Sequence, residues 1–318
     1  MKKKLALLMT AVLCLGMLTG CGNSKKAYNV GICQLVQHVA LDAATQGFKD
    51  ALVETLGEEN VTFDEQNAQG DSATCSTIVN AFVSANVDLI MANATAPLQA
   101  AAAGTTTIPV LGTSVTDYAT ALDIENWSGL TGRNISGTSD LAPLSEQAAR
   151  LNELFPDSAN VGILYCSAEA NSQYQADVMK QELEALGKSV SFYTFVDTND
   201  VATVTQSAAD ASDVIYVPTD NTAASNTEII DSICQPAGVP IVAGEEGICS
   251  GCGVATLSIS YYDLGYTTGQ MAAEILANGA DIEKMEVQNA PNVTKEYDAD
   301  RCAALGIEVP SDYVAIGE

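Results

Sequence analysis

The sequence predicts an α/β protein of two similar lobes, each a doubly wound parallel sheet, joined by a hinge. Three observations predict it. Short apolar runs alternate with stretches of helical periodicity, the β-α-β-α order of parallel sheets. The second half also repeats the first. Asn29-Val30-Gly31-Ile32 recurs as Asn160-Val161-Gly162-Ile163, Asp88-Leu89-Ile90-Met91 as Asp213-Val214-Ile215-Tyr216, and Ile108-Pro109-Val110 as Val239-Pro240-Ile241. The offsets are 131, 125 and 131 residues, so order and spacing match as well as residue type. Finally, a Gly- and Ser-rich run from Ser128 to Ser139 separates the two halves.

The N-terminus comes first in the chain and stands outside the fold. Lys2, Lys3 and Lys4 precede an apolar run from Leu5 to Leu18, closed by Leu18-Thr19-Gly20-Cys21. The run is shorter than a spanning helix needs, and its flanks are those of a signal peptide. Leu-Thr-Gly-Cys resembles the lipobox of bacterial lipoproteins, which implies lipidation of Cys21 and an anchor linker over residues 21–27. Two or more acyl chains hold a protein on a membrane where one is marginal.

Val30-Gly31-Ile32-Cys33 reads as the first strand, and Leu41, Ala44, Phe48, Leu52 and Leu56 come after it at helical spacing. Val61 and Phe63 alternate as a strand, and Cys75, Ile78, Val79, Phe82 and Val83 form a second helical stripe. Val87–Met91 and Ile108–Leu111 read as buried strands. Late in the chain, Val254–Ile259 reads as a strand, and Leu264, Thr268, Met271, Ala272 and Ile275 share one helix face. Met285–Val287 is expected as a short strand. A chain that returns in this way crosses between lobes more than once. The expected division is 28–135 plus 262–290 for the first lobe and 136–261 plus 291–318 for the second.

Composition removes several function classes. The formal charge is −27, from 13 basic and 40 acidic residues, and loss of Lys2–Lys4 makes it more negative still. Such a surface repels phosphate backbones, so no nucleic-acid partner is expected. Beyond Cys14 and Cys21 lie seven cysteines, an odd number scattered through apolar segments rather than a disulfide framework. Cys33, Cys75, Cys166 and Cys234 read as small buried hydrophobes. Cys249-Ser-Gly-Cys252 is a lone CxxC without a nearby His, for which a local disulfide or two free thiols outweigh zinc. GxSxG, HExxH, Walker A and GxGxxG patterns are missing from the sequence. Glu245-Glu246 offers paired carboxylates, but adjacent residues rarely converge on one glycosidic bond. No catalysis, metal or cofactor is therefore expected.

In open α/β sheets ligands sit beyond the carboxyl ends of the strands. In the first half, the segments after the strands supply Gln37 and His38, then Thr95 opening a helix, then Thr113 and Ser114, with Ser139 and Asp140 at the first crossing. The second half supplies Glu169, Asn171 and Ser172, then Thr219, Asp220 and Asn221, then Glu245 and Glu246. Hydroxyls, amides and carboxylates suit hydrogen-bonded capture of a zwitterion. Thr95 and Asp220-Asn221 also read as ordinary helix starts, because these residues cap helices. The free amides of such a start hold a carboxylate well. Asp220 is the expected partner of a ligand ammonium.

A family resemblance rests on longer segments. VGICQLVQHVALDAATQGFKDAL, NAQGD, Thr113-Ser114-Val115-Thr116-Asp117, Ser139-Asp140, Glu169-Ala170-Asn171-Ser172, Val217-Pro218-Thr219-Asp220-Asn221-Thr222 and Tyr261-Tyr262-Asp263-Leu264-Gly265-Tyr266-Thr267-Thr268-Gly269 carry it. Together these resemble the substrate-binding lipoproteins of tryptophan/tyrosine-type ABC importers. The resemblance implies a type I periplasmic-binding-protein fold with an amino acid, often aromatic, in the cleft. Thr95, Thr113, Ser114, Ser139, Asp140, Asn171, Ser172, Asp220 and Asn221 are the implied contacts, to which the strand-end reading adds Gln37 and His38. It also implies a monomer on the outer face of the cell membrane, serving separate permease and ATPase subunits. Val39 and the Cys249–Cys252 loop depart from the pattern. A ligand-sensing receptor outside transport and an extracytoplasmic enzyme remain alternatives.

Overall fold

The computed structural model describes residues 27–290 and 293–317. Lys2–Lys4, Leu5–Leu18 and Cys21 lie outside the described residues. The first lobe begins β1 (Tyr28–Gln34), α1 (Val39–Leu56), β2 (Val61–Asn67), α2 (Ser72–Ala85), β3 (Leu89–Asn93), α3 (Thr95–Gly104), β4 (Val110–Val115), α4 (Tyr118–Leu122) and β5 (Ile135–Ser139). The second runs α5 (Leu144–Leu154), β6 (Asn160–Cys166), α6 (Ala170–Ala185), β7 (Ser189–Phe195), α7 (Thr198–Ala211), β8 (Val214–Val217), α8 (Asn221–Ala224), α9 (Thr227–Ala237), β9 (Ile241–Ala243), α10 (Glu246–Cys252) and β10 (Ala255–Ser258). The chain then returns through α11 (Tyr261–Asn278) and β11 (Gln288–Asn289), and ends with β12 (Thr294–Tyr297), α12 (Ala299–Leu305) and β13 (Val314–Ala315).

Two sheets result. The first has the order β11-β5-β4-β3-β1-β2 and every pair in it is parallel. The second has the order β13-β12-β10-β9-β8-β6-β7, with β10–β12 its antiparallel pair. The repeat read in the sequence is therefore architectural. Each β1-like strand (Val30 to Ile32, Val161 to Ile163) lies inside its sheet, buried on both faces, which is why the run is continuously apolar. Apolar clusters cover both faces of each sheet: Phe82, Ile90 and Leu98 with Phe48, Met91 and Met271 in the first lobe, and Phe195 and Ile230 with Met179 and Tyr216 in the second. Each such side chain contributes about 1.5–3 kcal/mol by leaving water.

Several boundaries differ from the sequence reading. The strands expected at Val87–Met91 and Ile108–Leu111 start and end later, at Leu89–Asn93 and Val110–Val115. The short strand expected at Met285–Val287 is Gln288–Asn289. β5 belongs to the first sheet, so the first crossing comes after Ser139 and not at residue 135. The others lie between Ser258 and Tyr261 and between Asn289 and Thr294.

α11 is fastened to α1 backbone against backbone. A Cβ added to Gly265 would stand 1.9 Å from the Ala44 carbonyl oxygen, and one on Gly47 2.1 Å from that of Tyr262. Only glycine permits this approach. The seven cysteines of the described residues are free and buried. Cys249 and Cys252 sit in α10, whose carbonyls at Ser250 and Gly251 accept from the Arg301 guanidinium at 2.8 and 2.7 Å. Among the described residues no helix is long and apolar enough to cross a membrane, and no cluster of His, Cys, Asp and Glu could hold a metal ion.

Candidate functional site

Segments just beyond the carboxyl ends of strands in both sheets meet in one cleft. β1 delivers His38, β4 delivers Ser114 and Thr116, and β5 delivers Asp140 from the first lobe. β8 delivers Thr219, Asp220 and Asn221, β9 delivers Glu245, and the first turn of α6 delivers Asn171. Tyr261, at the second crossing, completes this deep chamber. It is tight, with room for about one water molecule. A wider outer chamber of about 870 Å³, mouth included, shares Asn171 and Asn221 with it and adds Thr95, Glu169, Gln99 and Asp197.

Two strand ends on the first-lobe wall hold unusual backbone. Ala94 has φ 101° and Ser114 has φ 53°, conformations that cost non-glycine residues about 1–3 kcal/mol and gather at functional sites. Ser114 lies where the β4–β5 register shifts between Gly112 and Val115. Ala94 precedes α3 without a side-chain cap.

The second-lobe wall is a carboxylate-supported turn. Asp220 accepts from the backbone N–H of Cys166 at 2.6 Å and of Ala223 at 2.7 Å, capping α8. Glu169 accepts from the backbone N–H groups of Asn221 and Thr222 and from the Asn221 side-chain amide at 2.7 Å. Asn221 thereby presents its Oδ1 across the cleft, where the Nε2–H of His38 donates to it at 3.3 Å. The donor side of His38 is then spent and Nδ1 is left as an acceptor.

Charge in the deep chamber is one-sided. Asp140, Asp220 and Glu245 are 3%, 1% and 2% exposed, and among the described residues no Lys or Arg lines either chamber. Burial raises the Asp140 carboxyl to about 6 and Glu245 to about 7. Burial first, then the charge of Glu169, raises Asp220 as well. Burial lowers His38. Among the described residues, three buried atoms of chamber-lining side chains make no hydrogen bond: His38 Nδ1, Ser114 Oγ and Asp140 Oδ1.

Of the residues read from the sequence, His38, Ser114, Asp140, Asn171, Asp220 and Asn221 line the deep chamber and Thr95 the outer one. Four stand elsewhere. Gln37 is exposed and lines a first-lobe groove with Gln34, Asp42 and Lys49. Thr113 lies inside the sheet, its hydroxyl 3.2 Å from that of Thr138. Ser139 donates to the Thr116 carbonyl at 2.8 Å, behind the wall. Ser172 is fully buried, accepts from Asn171 and supports the Asp220 carboxyl. Conversely, Thr116, Thr219, Glu245 and Tyr261 line the chamber without having been singled out as contacts. The alternation of apolar runs ended β4 too early to find Thr116. The signal for Tyr261 was the Tyr261–Gly269 segment itself.

The profile of a family described as ABC transporter substrate binding protein matches residues 29–313. The chain belongs to this family. It is 36% identical over 296 residues to a tyrosine-binding protein of Clostridioides difficile (strain R20291), covering 86% of this chain and 84% of that one. A structure from Streptococcus pneumonia, an ABC domain in complex with L-Trp, is 29% identical with a TM-score of 0.86, covering 90% and 97%. The ligand-free, open structure of a Clostridium difficile substrate binding protein is 36% identical with a TM-score of 0.69, covering 91% and 99%. The substrate binding protein described here thus superposes better on the more distant L-Trp complex than on the closer open relative. The type I periplasmic-binding-protein-like fold of two α/β lobes is the one the family resemblance implied.

Proposed function

We propose that this chain is the extracytoplasmic solute-binding lipoprotein of an ABC importer and captures an amino acid, aromatic by preference, in the inter-lobe cleft. The observation that carries this reading is the deep chamber itself. Three buried carboxylates surround a space about the size of one water, and among the described residues no cation lines it. Asp220 and Glu245 each accept from two backbone N–H groups, and Asp140 accepts from Tyr261 with one oxygen and keeps the other open. Hydrogen bonds alone leave buried negative charge costly, so the missing cation is supplied by the ligand. An ammonium group has that size and charge. Asp220 and Asp140 receive it, and the remainder of the ligand extends toward the outer chamber. Its carboxylate meets neutral donors, the Ser114 hydroxyl and the α3 end at Thr95.

The relatives support an aromatic side chain, since one is named for tyrosine and another holds L-Trp. Cys21 is the lipid anchor, and separate permease and ATPase subunits receive the cargo. No chemical step on the ligand belongs to this reading. Ser114 Oγ makes no hydrogen bond, so it has no base, and His38 is engaged with Asn221. Calorimetry with L-tyrosine, L-tryptophan, L-leucine and L-glutamate tests it. Saturable one-to-one binding of an aromatic member, tightest in the set, is expected. Binding of none of the four, or tightest binding of L-glutamate, refutes the reading.

A further inference from the structure

The deep chamber offers acceptors far more than donors. His38 Nδ1 is an acceptor because Nε2–H already serves Asn221. Asp140 Oδ1 is an acceptor, and Ser114 Oγ can act either way. His38 Nδ1 and Asp140 Oδ1 are two open acceptors for the N–H donors of an ammonium group, and Ser114 Oγ is the one open atom that can also donate. A carboxylate needs donors, and among these three atoms only Ser114 can provide one. Around them stand Asp220 and Glu245, with Glu169 and Asp197 in the outer chamber. A ligand carboxylate placed here faces like charges on several sides, with no Lys or Arg to answer it.

Resting on the amino-acid reading above, we propose that the ammonium is the obligatory element of recognition and the carboxylate is dispensable. The same cleft then takes primary aromatic amines that lack a carboxylate, the arylethylamines, as a second ligand class. Losing the carboxylate forfeits neutral hydrogen bonds at Ser114 and the α3 end. It also removes the repulsion from the surrounding acids and one desolvated charge. The two changes oppose each other, so affinity changes little. Losing the ammonium leaves Asp140 Oδ1 without a donor and the cluster of buried carboxylates without a cation, which nothing offsets.

Calorimetry on the detergent-solubilised full chain tests this with L-tyrosine, tyramine and 3-(4-hydroxyphenyl)propionate. Tyramine is expected within about tenfold of L-tyrosine, and the propionate is expected not to bind. The variant Asp140→Asn should weaken L-tyrosine and tyramine by similar factors, because both use the same contact. Binding of L-tyrosine with tyramine weaker by more than tenfold overturns the inference and leaves the amino-acid reading standing. So does binding of the propionate. If L-tyrosine, tyramine and L-tryptophan all fail to bind, both readings fall together.

Discussion

The phenol of Tyr261 donates to Oδ2 of Asp140 at 3.0 Å, tying the second lobe crossing to the first. Both residues line the deep chamber, so the bond joins the hinge to the place where the ligand is proposed to sit. The other oxygen of Asp140 makes no hydrogen bond. A ligand ammonium there meets a carboxylate already held by the hinge.

Removing that tie should weaken capture without unfolding the protein. A hydrogen bond to a charged group contributes about 1.5–3 kcal/mol, so Tyr261→Phe is expected to lower affinity by about tenfold or more. Calorimetry beside a thermal melt checks it. Unchanged affinity would show that the bond only decorates the hinge.

Asp220 caps α8 and lines the chamber at once, so substitutions must separate the two roles. Asp220→Ala is expected to weaken binding by well over tenfold, because truncating one partner of a desolvated pair costs about 2–5 kcal/mol. Asp220→Asn keeps an acceptor for the cap and should fall between. Wild-type affinity in a folded Asp220→Ala protein would leave the residue as a cap alone.

Acid should release the ligand. Asp140 and Glu245, raised to about 6 and 7 by burial, take up protons as pH falls through that range, and a protonated carboxyl no longer attracts an ammonium. Asp220 shifts in the same direction. Affinity for L-tyrosine is therefore expected to be lower at pH 5 than at pH 7.5. The ligand-free protein should show the opposite trend. Unfolded carboxyls titrate near 4, so between about pH 4 and 7 the folded chain binds more protons, and these groups' stability is lost as pH rises. Melting curves with and without ligand at both pH values check both signs. A ligand-induced shift equal at the two values would contradict the assignment.

Gly265 lets α11 touch α1. Gly265→Val sets a side chain against the Ala44 carbonyl, and overpacking of this kind costs about 3 kcal/mol. The expected result is a lower urea midpoint. An unchanged midpoint would mean that the helices separate freely.

The proposed anchor at Cys21 has its own test. Cys21→Ser should release the protein from the membrane fraction. A variant that still sediments with membranes and incorporates labelled palmitate would refute the lipobox reading.

The sequence by itself determined the architecture. Continuous apolar runs such as Val30–Cys33 mark strands buried on both faces, and their recurrence in the second half required a second sheet of the same kind. It also placed His38, Asp140, Asn171, Asp220 and Asn221 after strand ends, where α/β sheets keep their sites. What only tertiary structure decided is which polar residues are buried for the site and which for the fold. Thr113 is as polar as Ser114 and adjacent to it. Yet Thr113 spends its hydroxyl on Thr138, which continues to Thr268 at 2.8 Å, while Ser114, turned by a left-handed backbone at the bulge, faces the chamber. Polarity in a sequence reads as exposure, and a hydrogen-bonded hydroxyl escapes that rule. Tyr261 joins the site only through a contact with Asp140 more than a hundred positions away.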